Sequence, residues 1–307
     1  MTHTEKLFVT ALPPFNFDLS AQIFTNGDHQ IRNYEKGKFR QAIRIDDKVA
    51  LCSVESAGTI ENPILLVEIK TNSKLTAKQK EKAAETVNSL FNLNFDLTPF
   101  YEETKNDEVM ARLTRKLFGL KSPTTQFAFE ALVDSIVEQQ ISLKVANILE
   151  KKLIKKWGDA LNLDGEVFYA YPSPKNLAAA SQQELRNVGL SQRKAEYIKN
   201  AASLIAEGKL NLEKLKTCPN PDDIIVELDK VRGVGVWTAE LTMIRGMQRL
   251  EALPADDLGL RRTIAHFYCN GKAITSSRAR EIAKTWGTWK GLAAYYLIVA
   301  EILGIEP

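Results

Sequence analysis

The chain has 307 residues, of which 44% are hydrophobic and 26% are charged. This composition is typical of a globular protein with a sizeable core, and it excludes a disordered chain or a miniature scaffold. The net charge of +3 permits a nucleic-acid partner without requiring one. No stretch approaches the roughly 18 apolar residues that span a bilayer, and the N-terminus lacks the order of a signal peptide. We therefore expect a cytoplasmic protein with no membrane partner.

The three cysteines, Cys52, Cys218 and Cys269, are far apart in the sequence and odd in number. This pattern predicts buried thiols rather than a disulfide framework or a zinc or iron–sulfur site. The three histidines show no ligand spacing either. We expect no catalytic metal and no required cofactor.

From about residue 14 to residue 70, short β-rich runs alternate with turn residues. The runs are FNFDL, QIFTNGDHQIRNY, KFRQAIRID, KVALCSVES and PILLVEIK. Apolar and polar residues alternate in two of them, which predicts an antiparallel sheet with one covered face. Residues 75–93 change to helical spacing, so this helix is expected to pack across the sheet. An α+β domain is predicted over residues 1–105.

Residues 106–307 are predicted to be helical almost throughout. Several of the helical patterns stop at a glycine, as expected for a left-handed cap, and one continuous pattern covers residues 127–158. The absence of alternating strands argues against a nucleotide-binding βαβ fold, and the absence of a fixed period argues against a solenoid. The predicted fold class is α+β, with an N-terminal antiparallel sheet followed by a helical bundle of two lobes.

The stretch VRGVGVWTAELTMIRG, residues 231–246, joins two predicted helices through about five residues. A proline-capped helix precedes the stretch, and the next helix can begin by Val236. Gly233 and Gly235 would permit positive φ and a close approach to another surface. Free amides at the second helix's N-terminus would then bind one anionic oxygen, such as a DNA phosphate. A tight corner between packed helices explains the two glycines equally well.

The wider pattern L-x-x-V-x-G-V-G-x-W-T-A-E resembles the helix-hairpin-helix of the DNA glycosylase superfamily. In that family a Gly/Pro-rich loop and an aspartate follow the motif, and LEALPADDLGLRR, residues 250–262, supplies both. FEALVDSIVEQQISLKVA resembles the family's first core helix, and YPSPKNLAAASQQELRNVGLSQRKAEYIKNAA resembles the segment after it. The similarity is greatest to alkylbase glycosylases of the DNA-3-methyladenine glycosylase II type, and it extends over residues 10–300.

The resemblance implies an enzyme that excises a damaged, alkylated purine from duplex DNA after the base has flipped out of the stack. Matching the family's loop assigns the catalytic role to Asp257. A match shifted by one residue would assign it to Asp256 instead. A carboxylate beside the sugar would stabilise an oxocarbenium-like transition state and position the attacking water. A role as a helix cap alone would also explain Asp257.

Family members that also cut the DNA backbone have a lysine nucleophile where this chain has Trp237. Tryptophan cannot form a Schiff base, so the resemblance implies a monofunctional glycosylase that acts in base excision repair. Core packing would also explain Trp237. Two alternatives stay open, an oxidised-guanine DNA glycosylase and a non-catalytic helix-hairpin-helix DNA-binding protein.

The resemblance also implies contacts with DNA. Gln140 matches the side chain that fills the gap left by the flipped base, although a buried amide pair with Gln139 is an equal alternative. In the family the hairpin can also hold a monovalent cation through backbone carbonyls. The hairpin residues implied to contact DNA are Val231, Gly233, Gly235 and Thr238. We expect the protein to bind as a monomer.

Aromatic rings are expected in the base pocket, because stacking favours electron-poor or cationic alkylated bases. The candidate rings are those of Trp237, Phe127 and Tyr295. Leu241 and Ile298 stand where an aromatic residue is expected from the family. The sequence therefore does not predict which damaged base is preferred.

Overall fold

The computed structural model describes residues 2–307, which begin with a five-stranded antiparallel sheet. Its strands are β1 (His3–Thr10), β2 (Arg32–Glu35), β3 (Lys38–Ile45), β4 (Lys48–Ser56) and β5 (Ile64–Thr71), in the order β1-β5-β4-β3-β2. Ile45 pairs with Lys48, so Asp46 and Asp47 close a two-residue hairpin. The predicted sheet is confirmed, and it gains β1 as an edge strand that the sequence did not indicate.

Two helices cover one face of the sheet. Helix α1 (Phe17–Phe24) begins inside FNFDL, which was predicted to be β-rich, because the Asn16 side chain accepts a hydrogen bond from the Leu19 amide and caps a helix there. Helix α2 (Ala77–Phe91) lies within the predicted residues 75–93 and begins at a capping box. Phe91 packs against Phe39 of the sheet, with ring centroids 5.0 Å apart.

A β-hairpin covers part of the other face, where none was expected. Strands β6 (Ala160–Leu163) and β7 (Glu166–Tyr169) pair within the otherwise helical region. Asp164 and Gly165 form the turn, both with positive φ, as a two-residue hairpin requires. Leu161 and Phe168 pack on Leu51 of the sheet. The sheet was expected to have one covered face, and residues 106–307 were expected to be helical almost throughout. Both expectations were wrong at the β6–β7 hairpin.

The other elements are helical. They are α3 (Thr98–Thr104), α4 (Glu108–Lys116), α5 (Ala128–Glu138), α6 (Leu143–Trp157), α7 (Pro174–Ala179), α8 (Gln182–Asn187), α9 (Gln192–Ala206), α10 (Leu212–Lys216), α11 (Pro221–Asp229), α12 (Val236–Met247), α13 (Leu258–Tyr268), α14 (Ser276–Ile282), a 3-10 helix (Ala283–Trp286) and α15 (Lys290–Ile302). None of the helices within residues 2–307 is long and apolar enough to cross a membrane.

These helices form the two predicted lobes. The first lobe buries apolar residues of α5 to α12. The second lobe combines α3 and α4 with α13, α14 and α15, so its core draws on two separate parts of the chain. Leu93 belongs to the sheet's core whereas Leu97 and Phe100 belong to the second lobe. The cores thus divide between Leu93 and Leu97, before the predicted boundary at residue 105.

The single helical pattern over residues 127–158 is broken into α5 and α6. The backbone leaves helical geometry at Gln139, which has a ψ of 125°, and Gln140 follows with a positive φ of 57°. The Ser142 hydroxyl then accepts a hydrogen bond from the Val145 amide and caps the second helix. The break exposes a short loop, which is one wall of the candidate site.

Candidate active site and nucleic-acid interface

The turn between α11 and α12 is built on two glycines with different conformations. Gly233 has a positive φ of 88°, and a Cβ there would lie 2.1 Å from the ring of Tyr197. Glycine is therefore required at this position. Gly235 has a φ of −97°, and a Cβ there would meet nothing within 4 Å. The expectation of positive φ was right for Gly233 and wrong for Gly235, which instead borders open space.

The N-terminus of α12 faces this open space. Gly235 is its N-cap and supplies no side chain, so the first-turn amides lack a capping oxygen from it. Such amides, at the positive end of a helix dipole, attract an anionic oxygen. Val231 and Thr238 are 4% and 2% exposed, so their side chains point into the protein. The side chains of these two predicted contact residues are therefore not available to DNA.

The loop after α5 is tied to the same turn. Gln139 Nε2 donates hydrogen bonds to the Gly233 carbonyl at 2.8 Å and to the Thr238 hydroxyl at 3.0 Å. Gln140 is exposed. The alternative of a buried amide pair is therefore wrong, since Gln139 alone is tied into the structure and Gln140 is left free at the surface.

Asp257 joins the hairpin to the loop that follows α12. Its Oδ1 accepts a hydrogen bond of 2.7 Å from the Leu260 amide, which makes Asp257 the N-cap of α13. Its Oδ2 accepts a hydrogen bond of 3.2 Å from Trp237 Nε1. Asp257 is thus both a cap and a carboxylate held against the second hairpin helix.

The neighbouring carboxylate has a different environment. Asp256 Oδ2 lies 3.9 Å from Arg280, and Arg280 is held by two hydrogen bonds to buried Glu240. Asp256 is more than half exposed. The structure therefore distinguishes the two candidates for the catalytic aspartate, because Asp257 contacts Trp237 whereas Asp256 contacts Arg280.

Residues on one face of α12 interact with Asp257 at one end and with the last residue of α5 at the other. Trp237, Leu241 and Arg245 are four residues apart and share this face. Arg245 donates a hydrogen bond of 2.7 Å to Glu138, whose side chain is 18% exposed. Burial would lower the pKa of Arg245, but the charges of Glu138 and Asp257 contribute to raising it instead. The ion pair therefore ties α12 to the end of α5, and Asp257 lies close enough for its charge to act on Arg245.

Sequence reasoning missed both members of this ion pair. The available signal was Arg245, two helical turns after Trp237 on the same face. Glu138 directly precedes the two glutamines. Nothing in the local pattern indicated that the two residues pair across 107 positions of sequence.

A buried group of carboxyls on α5 and α6 contacts the sheet domain. Arg32, on β2, reaches within 3.5 Å of Glu130 and 3.8 Å of Glu150. Asp134 accepts a hydrogen bond of 2.6 Å from the Tyr171 hydroxyl. Burial raises the pKa of Glu130 to about 7, despite the opposing charge of Arg32, and also raises the pKa values of Asp134 and Glu150.

Phe127, one of the three predicted pocket rings, is placed elsewhere. Phe127 lines a cavity of about 430 Å³ together with Phe129 and Tyr171. It precedes the first residue of α5, and an 11-residue helix separates it by roughly 16 Å from Gln139. Phe127 is therefore at the wrong end of α5 for a pocket beside Asp257.

The Tyr295 ring packs against the core of the second lobe. Its hydroxyl is buried without a hydrogen-bond partner among residues 2–307. Of the three predicted rings, Trp237 is the one that contacts Asp257.

Comparisons with known proteins identify the family to which the chain is related. The family described as HhH-GPD superfamily base excision DNA repair protein matches residues 133–288. A DNA-3-methyladenine glycosylase of Bacillus subtilis is 31% identical over 246 residues, which are 80% of this chain and 81% of that protein. DNA-3-methyladenine glycosylase 2 of Escherichia coli is 27% identical over 199 residues, covering 64% of this chain and 66% of its own.

A solved structure is similar over nearly the whole chain. The 3-methyladenine DNA-glycosylase from Archaeoglobus fulgidus has a TM-score of 0.84 and 26% identity to this chain. The match covers 98% of this chain and 99% of that one. The similarity therefore includes the N-terminal sheet as well as both lobes.

Proposed function

The chain belongs to the HhH-GPD superfamily of base excision DNA repair proteins, and on that premise we propose that it hydrolyses the N-glycosidic bond of alkylated purines in duplex DNA. The observation that carries the proposal is the hydrogen bond from Trp237 to Asp257, which holds a carboxylate against the hairpin. The relatives named DNA-3-methyladenine glycosylase support the substrate class. The protein would act as a cytoplasmic monomer.

DNA binding is assigned to the hairpin and the loop after α5. The open space at Gly235 would admit a phosphate to the first-turn amides of α12. The exposed Gln140 would fill the gap in the stack once the damaged base has flipped. A monovalent cation would bind through hairpin carbonyls such as that of Gly233, which has a lone pair left beside its bond from Gln139.

The chemical step is assigned to Asp257. As the bond between the base and C1′ breaks, positive charge develops on the deoxyribose, and the carboxylate beside it stabilises that charge. Asp257 also orients a water molecule, whose oxygen bonds to C1′ and whose proton passes to the carboxylate. The Leu260 amide and the Trp237 indole fix the two carboxylate oxygens, so the group is oriented before DNA arrives.

The tryptophan at position 237 supports a monofunctional enzyme, that is, a glycosylase that does not cleave the DNA strand. It offers no amine, so the sugar is attacked by water and an abasic site is left without strand cleavage. The same residue disfavours the oxidised-guanine alternative. No cofactor is assigned to the reaction.

The test is base release from a methylated duplex under single-turnover conditions in the presence of a chelator. The wild-type protein is expected to release methylated purines and leave intact abasic strands. Asp257→Asn should lower the rate by at least about 100-fold while the protein still binds DNA. Asp256→Asn is the matched control, and it should retain most of the activity.

Three results would contradict the proposal. Binding without release by the wild type would favour the non-catalytic alternative. Strand cleavage would contradict the monofunctional assignment. Full activity in a folded Asp257→Asn variant would remove Asp257 from the mechanism.

A further inference from the structure

The segment that carries Asp257 is anchored shortly before it, at Leu253. The Leu253 carbonyl accepts hydrogen bonds from the Ala255 amide at 2.7 Å and from Arg280 Nη1 at 3.1 Å. The Asp257 amide donates in turn to the Pro254 carbonyl at 2.9 Å. Two consecutive turns therefore connect the residue that Arg280 holds to Asp257, and a shift of the Leu253 peptide would be passed on to the carboxylate.

Arg280 is itself fixed by a carboxylate on α12. It lies on α14, and its guanidinium donates hydrogen bonds of 2.9 Å and 3.3 Å to the two carboxylate oxygens of Glu240. A guanidinium that binds both oxygens is held in one orientation. The Glu240 side chain is 4% exposed. Burial raises the pKa of Glu240, and the hydrogen bond and charge of Arg280 oppose that rise, so the carboxylate depends on its partner.

Helix α12 thus contacts the Asp257 segment at two points. Trp237 donates directly to Asp257, whereas Glu240 acts on Leu253 through Arg280. Trp237 and Glu240 are three residues apart and so lie close together on the helix surface. Both ends of the segment are therefore held to one rigid element, which is the helix that begins at the hairpin turn.

We propose that the Arg280–Glu240 pair is a positioning device for base excision, which holds the Leu253 peptide so that the Asp257 carboxylate keeps a fixed place relative to the hairpin. The inference rests on the proposed function, since it assigns to Asp257 the chemical step. The pair acts through the backbone and requires no contact with DNA. Asp256 contributes little, because its Oδ2 lies 3.9 Å from Arg280, beyond hydrogen-bond distance.

The test compares Arg280→Met with the wild type in single-turnover release of 7-methylguanine and in equilibrium binding to undamaged duplex. The variant should lower the release rate about tenfold or more, because a small displacement of a catalytic group is costly, and should leave Kd within about twofold. Hydrogen exchange of the Leu260 amide, which donates to Asp257 Oδ1, is a second readout that needs no substrate. The exchange should become faster by about tenfold or more as the segment loosens.

Arg44→Met is the matched control. Arg44 likewise pairs with a carboxylate, that of Asp159, and donates a hydrogen bond of 2.9 Å to a backbone carbonyl, that of Tyr171. It therefore removes the same kind of anchor from another part of the molecule. The control should leave both the release rate and the Leu260 exchange unchanged.

The outcomes separate this inference from the proposed function. If the wild type releases no base, the proposed function fails, while Leu260 exchange still tests the anchor. An unchanged release rate or unchanged Leu260 exchange in Arg280→Met overturns the inference. Equal losses of rate and affinity overturn it as well, since Arg280 would then contact DNA. Should Arg280→Met fail to fold, Arg280→Lys decides, because lysine keeps the charge but lacks the planar fork, and wild-type rate and exchange there overturn the inference.

Discussion

Trp237 and Asp257 lie 20 residues apart, and the indole of the first donates a 3.2 Å hydrogen bond to the carboxylate of the second. The bond connects the helix that starts at the hairpin to the loop that enters α13. It therefore couples the position of the carboxylate to the part of the protein that would contact the DNA backbone. This coupling leads to the first prediction.

Trp237→Phe keeps an aromatic ring but removes the donor to Asp257. We expect base release to fall about tenfold, because a hydrogen bond to a charged group contributes about 1.5–3 kcal/mol and only part of it is specific to the transition state. Affinity for undamaged duplex should stay within about twofold. Single-turnover rates and equilibrium binding check the two expectations. A loss of affinity as large as the loss of rate would mean that Trp237 acts on DNA directly.

Gly233 and Gly235 should respond differently to substitution. Gly233→Ala should lower the free energy of unfolding by about 2 kcal/mol or more, since its Cβ would meet Tyr197 at 2.1 Å and its φ is positive. Gly235→Val should change that free energy by less than about 1 kcal/mol, because the space around it is open. It should nevertheless weaken DNA binding by about tenfold, since the side chain would occupy the space in front of the amides. Wild-type affinity in Gly235→Val would disprove the phosphate site.

The two adjacent glutamines should likewise have separate effects. Gln139→Ala removes two hydrogen bonds to the hairpin and should cost about 1–2 kcal/mol of unfolding free energy. Gln140→Ala should leave stability unchanged and reduce base release, because the flipped state loses its filling side chain. Denaturant unfolding and base-release assays on the same preparations test both. Unchanged release by Gln140→Ala would rule out its insertion.

Glu130→Gln should make stability less sensitive to alkaline pH. Burial raises the pKa of Glu130 to about 7, whereas the unfolded chain titrates near 4.5. The folded state therefore prefers the protonated form, and the wild type loses stability relative to the neutral variant as the pH rises from about 4.5 through 7. At pH 8 the variant should be more stable by at least about 1 kcal/mol, with a smaller gap at pH 5.

Denaturant unfolding at the two pH values measures this gap. Glu61→Gln, on an exposed loop, is the control and should show no gap at either pH. An equal effect of Glu130→Gln at pH 5 and pH 8 would contradict the assignment to Glu130 ionisation.

Features that depend on local chemistry could be predicted from the sequence. The hairpin turn is one case, because Asn220 caps α11 and α12 begins at Val236, where the glycine spacing placed it. The β6–β7 hairpin was also predictable in principle, since Asp164–Gly165 is a strong turn signal between apolar residues in alternation. The helical patterns on both sides of it concealed that signal.

Features that depend on distant pairing could not be predicted. Arg245 and Glu138 are separated by 107 positions, and their contact exists only because α5 and α12 pack together. Phe127 was assigned to the base pocket because its ring type suits stacking, but the direction of α5 places it at the far end. Residue type indicated the chemistry of the site, whereas tertiary packing decided which residues reach it.

The divided core of the second lobe sets an order for folding on the ribosome. Its first part ends at Leu120 and its second begins at Leu250, so Leu250 is synthesised 130 positions after Leu120. At roughly 5–20 residues per second, Phe100 waits roughly 10 to 39 seconds for its partner Tyr296, which lies 196 positions later in the chain. The sheet can complete its core in that interval, and most of the first lobe can follow. The lobe that contributes Asp257 is therefore the last to form, and nascent chains interrupted before α15 expose its apolar surface to aggregation and proteolysis.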